Sequence, residues 1–145
     1  EASFSGYQMV RAHLAQQQAW RPYFGRTIKS GAHLASMAYV REGLADCAAI
    51  DSTVLQMAQR RSPELCQGLR TVARLGPYPM PLWAFGEHGA RECQQPLRDL
   101  LTQMHKDPAG RHLLAQWQIA RFYPATAGEY ESLHGVDELA NQLHW

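Results

Sequence analysis

The chain has 145 residues, 46% of them hydrophobic and 19% charged, enough for one domain with a core and too apolar for general disorder. Its formal net charge of +1 and scattered arginines give no reason to expect a nucleic-acid partner, which needs a concentrated basic stripe. The three cysteines (Cys47, Cys66 and Cys93) form no CxxC pair, and no apolar run reaches the roughly 20 residues of a membrane helix.

In chain order, Ser3-Phe4-Ser5-Gly6 precedes a helical pattern over 7–18, with Tyr7, Val10 and Leu14 on one face. Ser3 or Ser5 is a natural N-cap, and Pro22 marks the break. Residues 26–30 read as a strand. Residues 33–42 read as a helix, with Leu34, Met37 and Ala38 at i, i+3 and i+4, ended by Gly43. Residues 47–50 read as a second, fully buried strand that carries Cys47 as a small core residue. Asp51 or Ser52 caps a helix over 53–60, and Ser62-Pro63-Glu64 stops it. Residues 69–75 are expected as a third strand, although the spacing of Leu69, Val72 and Leu75 suits a helical turn equally. Three prolines at 77, 79 and 81 make a stiff extended connector, followed by an apolar fourth strand at 82–85.

Beyond Glu92 the pattern becomes helical. Leu97, Leu100, Leu101 and Met104 follow i, i+3, i+4, i+7, and Asp107-Pro108 is a cap followed by proline at the first helical position. A last helix is expected from Thr126 or Gly128 towards Leu143. The predicted fold class is α/β: a β-α-β lobe followed by C-terminal helices. The expected divisions are 1–76 for the ligand-binding lobe, 77–85 for a hinge or crossover, and 86–145 for the helical return segment.

In a β-α-β unit, strand ends and helix N-termini meet at one sheet edge, where ligands bind. Ser30, Gly31, His33 and Asp51 fall at that edge, and Ser3, Ser5 and Gly6 form a similar turn before the first helix. Hydroxyls and backbone N–H groups there suit an oxyanion; His33 adds a donor and Asp51 an acceptor. Plain helix capping or a surface position is the commoner role for such residues taken singly, and both readings stay open.

Catalytic patterns are missing from the sequence: it has no GxSxG elbow, no GxxxxGK[ST] phosphate loop and no HExxH. The seven histidines are scattered, so no metal site, cofactor or catalytic residue is expected. Tyr7, Tyr78 or Trp83 is a candidate wall for a ligand cleft.

The order SGY at a helix start, SGAHLAS at 30–36, EGLADCAAID at 42–51, PEL at 63–65 and LRTVARLGPYPMP at 69–81 resembles the phosphate/phosphonate-type substrate-binding proteins of ABC transporters. DPAG at 107–110 and RFYPATAGEYESL at 121–133 extend the resemblance over nearly the whole chain. It implies the C-terminal half of a type 2 periplasmic binding protein, a two-lobed fold that closes on its ligand. The implied site is Ser3, Ser5, Gly6, Ser30, Gly31, His33 and Asp51, and the implied ligand is a small anionic solute such as phosphate or a phosphonate. Ala32 stands where the family more often has serine. The resemblance also implies transporter permease subunits and a missing N-terminal lobe as partners, and a periplasmic or extracytoplasmic location. The chain opens on Glu1 within what reads as folded sequence, so a processed chain or an excised piece is expected, with a homodimer through exposed cleft surface as a further expectation. Two other roles fit the same fold: a ligand-sensing domain of a signalling protein, and a biosynthetic enzyme that uses Lys29.

Overall fold

The computed structural model describes residues 3–17, 24–86 and 91–142. The first helix begins as a π-helical turn, Phe4–Gln8, and continues as α1, Met9–Gln16. Its wide first turn arises because the Ser3 carbonyl accepts from two successive N–H groups, Tyr7 at 3.0 Å and Gln8 at 3.1 Å. The Ser3 hydroxyl accepts from Gly6 N–H at 3.2 Å, which satisfies one of the donors a helix start leaves over. Pro22, expected to follow this helix, lies outside the described residues.

Gly31, at φ +85°, turns the chain into α2, His33–Arg41. The exit of α2 is set by Gly43, at φ +73°: its N–H reaches the Val40 carbonyl at 3.2 Å and the Leu44 N–H reaches Tyr39 at 2.8 Å. That pair of bonds is the Schellman arrangement, and it needs a residue that adopts the left-handed region at little cost. Asp51 caps α3, Ser52–Arg61, and Ser62-Pro63 diverts the chain into a 3₁₀ turn, Pro63–Cys66.

The chain forms two compact units. The first comprises residues 1–77 and 133–145, and its core lies between α1 and the last helix, α6, Val136–Asn141. Met9 and Ala12 of α1 pack on Val136 and Ala140 of α6, with Leu139 covering them. Small residues at Ala12 and Ala140 let the two backbones approach closely. Arg11 Nε then reaches across to the Ala140 carbonyl at 2.8 Å. Away from this pair, Met37 of α2 is the most fully buried large side chain.

The second unit, 78–132, contains α4, Arg91–Gln103, a 3₁₀ turn Met104–Lys106, and α5, Pro108–Gln116. Asp107 caps α5 by accepting from Gly110 N–H at 2.7 Å. Trp83 meets Phe122 edge to face at 5.8 Å, and Tyr130 donates its hydroxyl proton to the Met80 carbonyl at 2.8 Å, fastening the extended 78–86 segment to the later loop. The helix expected over 126–143 is instead a 3₁₀ helix, Ala127–Leu133, and the short α6, separated by Gly135 at φ +79°.

The α/β expectation is overturned. Among the described residues every regular element is helical and there is no strand, hence no β-α-β lobe. Residues 26–30, 47–50, 69–75 and 82–85 are non-helical, but none pairs with a neighbour in a ladder. An apolar run becomes a strand only when another segment supplies hydrogen-bond partners for its backbone. These runs stay in contact with water instead: Val72 is 70% exposed and Trp83 is 70% exposed. Cys47, expected inside a buried strand, is exposed with a free thiol.

Candidate functional site

The seven residues singled out from the sequence all lie in the first unit, at the start of α1, the start of α2 and the start of α3. Four of them are brought together. The Ser5 hydroxyl and His33 Nε2 are 3.2 Å apart although 28 residues separate them in sequence. Gly6 lies against the same ring: a Cβ built on it would be 3.4 Å from His33 Cε1 and 3.1 Å from Ser3 Oγ. The two turns that the sequence offered as separate anion cradles therefore face each other through one imidazole.

The tautomer of His33 decides what this pair offers. If Nε2 carries the proton it donates to Ser5, and the serine O–H is left to point at an added oxygen; if Nε2 is bare, Ser5 donates to it. A protonated ring supplies the donor to Ser5 together with a positive charge. The serine O–H is free for an anionic oxygen only in the states where Nε2 carries the proton.

Ser30 serves its own turn. Its hydroxyl lies 2.6 Å from Ser36 Oγ and donates to the Ala32 carbonyl at 3.2 Å. Both contacts are satisfied at once when Ser36 donates to Ser30 and Ser30 donates to the carbonyl. Ser36, the last residue of the SGAHLAS run, is thus a partner that the sequence reading passed over. Gly31 is exposed and its left-handed backbone makes the turn possible. Ala32 occupies the N-cap position of α2 and has no side chain with which to cap it.

Asp51 takes the capping role. Its Oδ1 accepts from the Thr53 N–H at 2.8 Å and from the Thr53 hydroxyl at 2.5 Å. Partial burial works against its charged form. The bonds from the Thr53 hydroxyl and from the Thr53 and Val54 N–H groups, with the charge on His33, outweigh burial and hold the carboxyl below the usual aspartate value. Thr53 was missed from the sequence, yet Asp51-x-Thr53 at a helix start is a capping signal that a closer look at local pairs would catch.

Two of the three aromatic candidates for a cleft wall, Tyr7 and Trp83, have other partners. The Tyr7 ring lies beneath the Arg11 guanidinium, whose carbon is 5.0 Å from the ring centre, and Trp83 packs on Phe122 in the second unit. Among the described residues no three His, Cys, Asp or Glu side chains gather as metal ligands, and no helix is long and apolar enough to cross a membrane.

The comparison with curated proteins finds no match. A family model described as the phosphonate periplasmic substrate-binding protein of ABC transporters matches residues 1–130. That stretch includes both serine turns, His33, Asp51 and Thr53, and the proline connector. The chain belongs to the family of phosphonate periplasmic substrate-binding proteins of ABC transporters.

Proposed function

We propose that this chain is the solute-binding component of an ABC uptake system and captures a small oxyanion such as phosphate or a phosphonate. The observation that carries the reading is the 3.2 Å approach of Ser5 to His33, which joins two helix starts within a phosphonate-binding family. Ser3, Ser5 and Gly6 offer hydroxyl and backbone donors, Ser30 and Gly31 shape the facing turn, and His33 supplies a side-chain donor. Asp51 accepts a proton-bearing oxygen or an amine on the same solute, because a fully ionised phosphate beside a carboxylate would be repelled. The binding role needs no bond-making step, so the reading is a carrier and not an enzyme.

In this reading the protein works outside the cytoplasm and hands its solute to permease subunits. Residues 77–85 act as the hinge towards a further lobe, and closure strengthens each hydrogen bond by excluding water. The test is calorimetry on the full-length protein with phosphate, methylphosphonate and methanesulfonate. Binding of the phosphorus oxyanions, lowered in His33→Ala and Asp51→Ala, is the expected result; unchanged affinity in both variants overturns the site.

A further inference from the structure

A continuous chain of contacts runs from the last helix of the first unit to the serine turn. Ala140 lies in the last turn of α6, where helix carbonyls have no partner within the helix, and its oxygen accepts from Arg11 Nε at 2.8 Å. The same guanidinium donates through Nη1 to the Tyr7 hydroxyl, and its carbon lies over the Tyr7 ring, 5.0 Å from the ring centre. Tyr7 in turn closes the serine turn, its N–H bonded to the Ser3 carbonyl at 3.0 Å. One step further, Ser5 meets His33.

We infer that Arg11 is a positioning residue: through Tyr7 it locks the Ser3–Gly6 turn to α6 and so sets where Ser5 meets His33. The inference rests on the functional reading above for its consequence in binding, but its geometry stands without it. A guanidinium is suited to this because its donors form a rigid planar fork. With Nε fixed on the α6 carbonyl, the direction of Nη1 is fixed too, and the tyrosine hydroxyl has one place to sit. The turn's own bonds are local ones, and none of them ties it to another element. It contains a glycine, and its π-helical start is held by two N–H groups sharing one carbonyl. Burial of Met9 and Ala12 on Val136 and Ala140 holds the platform on which the fork stands. A ligand that takes its donors from Ser5 and the turn's backbone would therefore find them already oriented, which lowers the cost of ordering them on binding.

The experiment uses the whole chain with Tyr7→Phe, Arg11→Met and Arg11→Lys, each read in two ways. Nitrogen-15 NMR of the His33 ring in the ligand-free protein, assigned with a His33→Gln variant, reports the Ser5 bond directly. Calorimetry with inorganic phosphate and methylphosphonate reports binding. The expected result is a changed His33 signal in all three variants with helix content retained, and about tenfold weaker probe binding. Arg11→Lys is not expected to rescue, since an ammonium keeps the charge but loses the fork. His33 signals that superimpose on those of the parent protein in Tyr7→Phe and Arg11→Met overturn the inference. Changed signals in a protein that binds neither probe uphold the positioning and remove the ligand reading. Should Arg11→Met lose its fold, Tyr7→Phe, which removes one oxygen atom and keeps the ring, decides the matter by the same His33 signal.

Discussion

Replacing Gly6 with alanine separates stability from binding at the candidate site. The added Cβ would stand 3.1 Å from Ser3 Oγ, 3.4 Å from His33 Cε1 and 3.5 Å from Ser3 Cβ. Ordinary van der Waals contact begins at 3.4 Å, so His33 is just met, and the serine hydroxyl must give way by 0.3 Å (3.4 less 3.1). Gly6 does not use the left-handed backbone region, so no conformational strain is added. The easiest relief is rotation of Ser3, which gives up its bond to the Gly6 N–H at 3.2 Å. Losing that cap costs about 1 kcal/mol, while alanine in place of glycine in a helix returns about 0.8–1.0 kcal/mol. The two nearly cancel. Urea unfolding should therefore move by no more than about 0.5 kcal/mol. Binding should respond differently, because the new methyl group fills the space between Ser3 and His33 and turns the serine hydroxyl away. Affinity for phosphate or methylphosphonate is expected to fall about tenfold, or ~1.4 kcal/mol. A variant that binds like the parent would refute the assignment of this turn; one that loses several kcal/mol of stability would refute the serine-rotation argument.

Gly110→Ala should behave in the opposite way. Its Cβ would lie 2.0 Å from the Met104 carbonyl oxygen, a backbone atom that cannot rotate aside, so α5 must shift and endanger the Asp107 cap. A loss of about 1–3 kcal/mol in chemical unfolding is expected despite the better helix propensity of alanine, and a neutral result would contradict the geometry. Asp51 gives a pH prediction. Its carboxyl is held below its ordinary value, so the stability it adds to α3 is fully present above the unfolded pKa of about 3.9 and lost as pH falls through the lower folded one. Asp51→Asn keeps a capping side chain and should remove that contribution to the acid slope; an unfolding curve of unaltered slope below about pH 4 would deny the carboxylate its role.

How far the chain was legible depends on the range over which each element is decided. Gly43 as the end of α2 and Asp107-Pro108 as the start of α5 were read correctly, and of the two caps offered for α3, Asp51 or Ser52, the structure takes Asp51. Each is decided within four residues by a cap, a φ value or a missing N–H. The four expected strands failed because a ladder is a property of two segments, and residues 47–50 or 69–75 carry no information about whether a second is in place. The stripe of Leu97, Leu100, Leu101 and Met104 did predict helix, although no residue of α4 is buried and Leu100 is 65% exposed. Periodicity fixes the local conformation without saying what covers the apolar face.

The candidate site divides in the same way. The sequence by itself determined that serines, glycines and a histidine sit at helix starts, because a helix start leaves N–H donors and short polar side chains answer them locally. It also carried the family, through motifs spread along the chain. Only the tertiary structure decided that Ser5 meets His33 across 28 residues and that Arg11 reaches Ala140 across 129 residues. Those pairings follow from how α1 packs on α6 and where the turn before α2 comes to lie. Such contacts depend on packing between distant segments, which no single stretch of sequence contains.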